Sequence, residues 1–151
     1  MNVLILGSGG REHAMAWKIA QSSLIRDLYI APGNGGTGQF GENINVDVDD
    51  FKAIKKVVLE KNIKMVVVGP EVPLVKGIVD FFEKDKQLQN VWIIGPNQFS
   101  AQLEGSKKFA KEFMQRHGIP TAKYQSFDHT QIKEAQAFID TIKKTVVLKA
   151  D

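Results

Sequence analysis

Four short apolar runs in the first two thirds of this sequence each end in a glycine-bearing loop. Val3–Leu6 runs into Gly7-Ser8-Gly9-Gly10, and Leu28–Ile30 leads into a loop with glycine at 33, 35, 36 and 38. Met65–Val68 meets Gly69-Pro70, and Trp92–Ile94 meets Gly95-Pro96-Asn97. Compact runs rich in Val, Ile and Leu are the signature of parallel strands buried on both faces. Between them lie helical patterns. Arg11–Gln21 carries Ala14, Trp17 and Ala20; Asp50–Lys61 carries Phe51, Ile54 and Val58; Leu74–Lys84 carries Val75, Ile78, Val79 and Phe82. Asn43–Val46 reads as one more short strand. Strand and helix alternating over short links predict an α/β fold, a doubly wound parallel sheet with right-handed crossovers. Ligands of such sheets sit at the carboxyl ends of the strands, where these glycines cluster.

The pattern changes near residue 96. A helix is expected from Ser106 to His117, closed by Gly118 and Pro120. A strand over Lys123–Phe127, a helix over Thr130–Lys143 capped by Asp128 or Thr130, and a strand at Thr145–Lys149 follow. Residues 1–103 read as one complete domain and 104–151 as the beginning of a second. The sequence ends two residues after the last expected strand, which suggests a piece of a longer protein.

Composition removes several chemistries. The 151 residues contain no cysteine, so a thiol nucleophile, a disulfide framework and a Cys-based metal site are excluded. Apolar runs of about five residues fall far short of the roughly 20 that span a membrane, and no signal-peptide core is present. A cytoplasmic protein without membrane contact is the expectation. Residues 1–104 hold 11 basic and 12 acidic side chains, and 105–151 hold 9 and 5. Neither part interleaves basic and aromatic residues as a nucleic-acid surface does. The three histidines are isolated, and no metal site is visible.

The loop Gly7 to His13 occupies the place of a dinucleotide fingerprint, with a helix N-terminus and glycines that let an anion approach. Its spacing departs from that fingerprint: the third glycine would fall at residue 12, which is Glu12, and Ile30-Ala31-Pro32 replaces a ribose-binding acid. A phosphate-bearing ligand of another kind and a plain tight turn both remain, with Arg11 as a candidate phosphate contact. His13 is expected to make a structural hydrogen bond in the first helical turn. In the second loop, Asn34 and Thr37 suit sugar or phosphate oxygens, against a merely flexible loop. Glu71, held between Pro70 and Pro73, suits a ribose diol or an amine, or else serves as a first-turn acid. Lys107 in a first helical turn and Lys149 in an apolar strand are cations in unfavourable places, unless they reach solvent or attach a triphosphate.

Six motifs in order then form a pattern: Gly7 to His13, Ala31 to Thr37, Val68 to Gly77, Gln102 to Lys107, Gly118 to Thr121 and Val147 to Asp151. Together they resemble the glycinamide ribonucleotide synthetase (phosphoribosylamine–glycine ligase) family over the whole chain. The resemblance implies a Rossmann-like pre-ATP-grasp domain followed by the start of an ATP-grasp domain. It implies an ATP-dependent ligase of purine biosynthesis, joining glycine to 5-phosphoribosylamine to give glycinamide ribonucleotide, ADP and phosphate. It further implies that Gly9, Gly10, Arg11, Asn34, Gly36, Thr37, Gly69 and Glu71 line the ribosyl-phosphate pocket, with Glu71 on the ribose hydroxyls. Lys107 and Lys149 would contact ATP, Lys149 at the start of the nucleotide-binding sheet. The Mg2+ or Mn2+ ligands would lie after residue 151, leaving these residues inactive in ligation by themselves. The partners implied are the small substrates 5-phosphoribosylamine, glycine and ATP, with no nucleic acid and a monomeric state. Another carboxylase or ligase of the same architecture and a non-catalytic nucleotide-sensing module are the alternatives.

Overall fold

A computed structural model describes residues 1–142 and 145–149. It forms two compact units, the first Met1–Gly105 and the second beginning at Ser106. The first unit holds a five-stranded sheet in the order β3-β2-β1-β4-β5, every neighbouring pair parallel. The strands are β1 (Asn2–Gly7), β2 (Asp27–Pro32), β3 (Glu42–Asn43), β4 (Ile63–Val68) and β5 (Trp92–Ile94). The helices of this unit are α1 (Gly10–Ile19), α2 (Phe51–Glu60), α3 (Glu71–Val75), α4 (Ile78–Lys84) and α5 (Gln98–Gly105). The expected doubly wound sheet is present.

Strand β1 explains why. All six of its residues are buried, and successive side chains point to opposite faces. Val3 and Ile5 pack with Leu28, Ile30 and Ala16 on the side covered by α1. Leu4 and Leu6 join the larger cluster on the other side, with Ile54 and Val58 of α2 and Ile78, Val79 and Phe82 of α4. Strands β1 and β2 align from Asn2 opposite Asp27 to Gly7 opposite Pro32, and Leu6 lies opposite Val68 of β4. The exits of β1, β2 and β4 therefore reach one edge of the sheet together.

Three local expectations need correction. The stripe Ala14, Trp17 and Ala20 does not face the core: Trp17 is 53% exposed, and α1 instead packs through Met15, Ala16 and Ile19. The small side chain of Ala16 lets the helix approach the sheet closely, and this rotation also buries Glu12. The single helix over Leu74–Lys84 is two helices, α3 and α4, because Gly77 takes a left-handed φ of 89° between them. The strand expected at Asn43–Val46 shrinks to Glu42–Asn43, so that 45–48 leaves the sheet. Helix α5 is an addition. Asn97 begins it by accepting Ser100 N–H at 2.9 Å, and Ala101 is its buried anchor, while Phe99 and Leu103 are exposed.

In the second unit, α6 (Lys107–Arg116) is capped by Ser106, whose hydroxyl accepts Phe109 N–H at 3.1 Å. Helix α7 runs Ile132–Thr141, beginning later than expected because Asp128 spends its carboxylate on a turn with Thr130. That bonding to Thr130 holds the Asp128 carboxyl below its ordinary range. The strands expected at Lys123–Phe127 and Thr145–Lys149 are absent, and both segments are irregular. A strand exists only where a neighbour takes up its hydrogen bonds, and the described residues of this unit supply no paired partner. Residue 143 of the expected helix and residues 150 and 151 of the last motif lie outside the described residues. No described helix is long and apolar enough to cross a membrane.

Two outcomes follow. Phe82→Ala, at a side chain 2% exposed, is expected to cost about 3–5 kcal/mol in urea unfolding, whereas Trp92→Ala changes it by no more than about 0.5 kcal/mol. Asp85 accepts a hydrogen bond from Lys55, which is the main reason its carboxyl titrates below the ordinary 3.8, with Gln87 N–H adding to the effect. A depressed carboxyl stabilises the fold above its unfolded pKa and loses that contribution as pH falls through the folded value. Thermal melts should therefore show Asp85→Asn below wild type at neutral pH and the gap closing in acid below the unfolded carboxylate pKa.

Candidate functional site

The sheet order reverses between β1 and β4, and a concavity of about 480 Å3 opens beside that crevice. Gly7, Ser8 and Gly9 from the β1 exit, Pro32 from β2, Pro70 from β4 and Asn45–Val48 after β3 line it, with Glu12 among them. The segment 45–48 was missed in the sequence because it read partly as strand. Its signal was the polar–apolar alternation of Asn45, Val46, Asp47 and Val48, which places polar groups beside the strand exits.

Helix α1 starts at the crevice, and its first-turn amides present partial positive charge there. Glu12 closes the helix start as a capping residue, its Oε2 accepting Gly9 N–H at 2.6 Å. The carboxylate fills the space that glycines leave open. A Cβ on Gly7 would lie 2.6 Å from Glu12 Cγ, and one on Gly9 would lie 2.9 Å from Oε2. A Cβ on Gly69 would overlap Oε1. Gly10 differs, since nothing stands within 4 Å of a Cβ built there. The space above it is open to a ligand.

The second loop is organised from within. Asn34 Nδ2 donates to the Ser8 carbonyl at 2.9 Å, tying the two glycine loops together. Its Oδ1 accepts Gly36 N–H at 2.8 Å and Thr37 N–H at 3.1 Å. The Thr37 hydroxyl accepts Asn34 N–H at 2.8 Å and donates toward the Asn34 carbonyl or Asn43 Oδ1. Thr37 is fully buried, beneath the loop rather than on its surface. His13 makes a packing contact instead of the expected side-chain hydrogen bond: its ring lies 5.4 Å from that of Phe40, and Nε2 sits against Gly36.

Arg11 and Glu71 come together at the rim, their charged groups 3.5 Å apart. Glu104 of α5 approaches the other Arg11 nitrogen at 4.0 Å, a neighbour that could not be expected without α5. With Arg11 64% and Glu71 44% exposed, this pair contributes little stability and can exchange partners with a ligand. Of the expected site residues Gly9 lines the concavity; Gly10 and Arg11 open α1, Glu71 opens α3, Gly69 follows β4, and Asn34, Gly36 and Thr37 follow β2, all at the carboxyl ends of the strands. Lys107 opens α6, exposed, and Lys149 is exposed in an irregular segment instead of the expected strand. His117 stacks on Phe113 at 4.4 Å. Among the described residues no group of three or more His, Asp or Glu side chains could hold a metal ion.

Gly69→Ala is expected to lower stability by about 1–3 kcal/mol through overpacking against Glu12. Gly10→Ala should stay within about 0.5 kcal/mol of wild type; denaturant titration of both variants checks the contrast.

Comparison with known proteins agrees with this architecture. Residues 1–104 match the family model for the phosphoribosylglycinamide synthetase N domain, and 105–151 match that for the ATP-grasp (A) domain of the same synthetase. The chain is 48% identical to a phosphoribosylamine–glycine ligase of Ralstonia nicotianae, over all of this chain and 34% of that protein. It therefore spans about a third of the length of such relatives. The crystal structure of a phosphoribosylamine–glycine ligase from Thermotoga maritima superposes with a TM-score of 0.62 at 29% identity, covering 91% of this chain and 30% of that one. An N5-carboxyaminoimidazole ribonucleotide synthetase from Thermus thermophilus shares the fold, with a TM-score of 0.66 at 19% identity over 91% of this chain and 36% of the other. By its matched domains and its sheet, the chain belongs to the phosphoribosylglycinamide synthetase family.

Proposed function

We propose that this chain is the N-terminal part of an ATP-dependent ligase that joins glycine to 5-phosphoribosylamine in purine biosynthesis. The observation that carries the proposal is the convergence of three glycine-rich strand exits on one crevice, with Arg11 and Glu71 at its rim, in a chain of this family. Loops fixed by their own hydrogen bonds make a preorganised wall, which lowers the cost of ordering on binding. In this reading Gly10 lets the ligand approach the backbone, Gly9 and Gly69 make room for Glu12 beside it, and Asn34, Gly36 and Thr37 hold the second loop in shape. Arg11 leaves Glu71 for the ligand's anionic end, and Glu71 takes the ribose hydroxyls.

The chemistry proposed for the whole ligase runs in two steps. The glycine carboxylate attacks the γ-phosphate of ATP, forming a glycyl phosphate and releasing ADP. The amine of 5-phosphoribosylamine then attacks that carbonyl and phosphate leaves, forming the amide. Lys107 and Lys149 are proposed contacts to the ATP phosphates, where positive charge offsets the charge of the transferring group. Divalent metal such as Mg2+ or Mn2+ would need ligands other than the described residues, and no step is assigned to a metal held by them.

Isothermal titration of the 151-residue chain with glycinamide ribonucleotide should give a measurable heat of binding. Glu71→Gln should weaken that binding about tenfold, the loss of charge-assisted hydrogen bonds worth ~1.5 kcal/mol. No heat at millimolar ligand would refute the proposal.

A further inference from the structure

Glu12 has chemistry that capping alone leaves unused. The residue is 3% exposed. One carboxylate oxygen holds Gly9 N–H, while the other, Oε1, is buried and accepts no hydrogen bond. Buried polar atoms without a partner are rare and costly, and each calls for an explanation such as strain, a catalytic role or a bound water or ion. Glu12 also stands at the position where a dinucleotide fingerprint has its third glycine. A phosphate cradle keeps that position free of negative charge, and this crevice places a carboxylate in it.

The rest of the concavity has the same character. Besides Glu12, its ionisable lining is Asp47, and among the described residues no Lys, Arg or His lines it. Asp47 is exposed and anchored by its own turn, Oδ1 accepting Asp49 N–H at 2.9 Å. Asn45 adds a neutral polar group. The basic group of the site, Arg11, lies at the rim beside Glu71 and Glu104. Two carboxylates inside, and at the rim one guanidinium whose exposed acidic partners can be exchanged, sort the two ends of an amino sugar phosphate.

Resting on the reading of the site as a ribosyl-phosphate pocket, we infer that Glu12, with Asp47, sets the orientation and specificity of the ligand. The buried carboxylate excludes phosphate from the β1–β4 crevice and draws in the amine-bearing end of the sugar, leaving the phosphate toward Arg11. Glu12 is a positioning residue for the reaction, and its selectivity is for a hydrogen-bond donor or cation over an anion. Electrostatic complementarity of this kind governs which partner is accepted more than how tightly any one binds.

The test compares two ligands on wild type, Glu12→Gln and Asp47→Asn forms of the 151-residue chain by isothermal titration. Glycinamide ribonucleotide carries an amine; ribose 5-phosphate does not. Wild type should prefer the former by about tenfold or more. Gln serves at the third position of a capping box as well as Glu does, so E12Q keeps the helix start and its thermal melt verifies folding. E12Q should weaken glycinamide ribonucleotide while leaving or strengthening ribose 5-phosphate, narrowing the preference to about threefold or less. Equal change for both ligands, or none for either, overturns the inference and leaves the ribosyl-phosphate reading intact. Wild type that binds neither ligand overturns both. If E12Q fails to fold, D47N at its exposed position decides: a narrowed preference supports the inference, and an unchanged one overturns it.

Discussion

A strand whose two faces are both buried has no surface of its own, and β1 is such a strand from Asn2 to Gly7. Its residues commit one helix to one side and several to the other, which fixes the sheet as a middle layer. Its flanks are taken by β2 and β4. The part of β1 that opens on a concavity is its carboxyl end, at Gly7. The sheet must reverse its order beside that end, because β2 and β3 are laid down on one flank and β4 and β5 on the other. The crevice is thus a consequence of the burial of one hydrophobic strand rather than a separate feature added to the fold.

The loops at the crevice are held by a small set of polar side chains that act on backbone. Asn34 stitches the first loop to the second, and Thr37 and Asn43 fix the second from beneath. The buried Thr37 hydroxyl, the half-buried Asn34 and the exposed Asn43, bonded in this way, make a network of one shape. Glycine content would otherwise leave these loops loose, since glycine has the most backbone freedom to lose. Glycine at 33, 35, 36 and 38 therefore does not mean mobility here. At two of these positions backbone passes close to other groups, Gly33 against Asn43 and Gly36 against His13, whereas a side chain at Gly35 would meet open space.

The sheet was legible from the sequence because its strands carry short apolar runs; β1 is buried on both faces, whereas the edge strand β5 gives the same signal with Trp92 and Ile94 exposed. What could not be read were faces and ends. Trp17 looked like a core residue at helical spacing, yet the choice between two faces of α1 was made by Ala16 against the sheet and by Glu12 against three glycines. Ala16 meets β2, and Glu12 meets Gly69 besides its near neighbours Gly7 and Gly9, so the deciding contacts include residues brought in from elsewhere in the chain. Helix α5 hid because its large apolar side chains, Phe99 and Leu103, point outward. The rim pair Arg11 and Glu71 was visible as two motifs but not as a pair, because residues 60 positions apart meet only through the β1–β4 pairing. Asn45–Val48 escaped as a wall of the site because its alternation suits a strand equally well. The strands expected after residue 122 failed for another reason: apolar content favours a strand, but hydrogen-bonded neighbours make one.

The exchange of a fingerprint glycine for Glu12 links these observations. With glycine at that position, the helix N-terminus would face the crevice unopposed, and its partial positive charge would attract phosphate. A carboxylate in its place takes the Gly9 amide for itself and cancels part of the dipole where a phosphate would sit. Room for that side chain exists because residues 7, 9 and 69 have no Cβ. The same glycines that resemble a phosphate loop in sequence are thus, in the folded chain, the housing of an anion belonging to the protein. An anionic ligand end is left with the rim, where Arg11 already stands in reach of two carboxylates and exchanges one exposed partner for another at little cost.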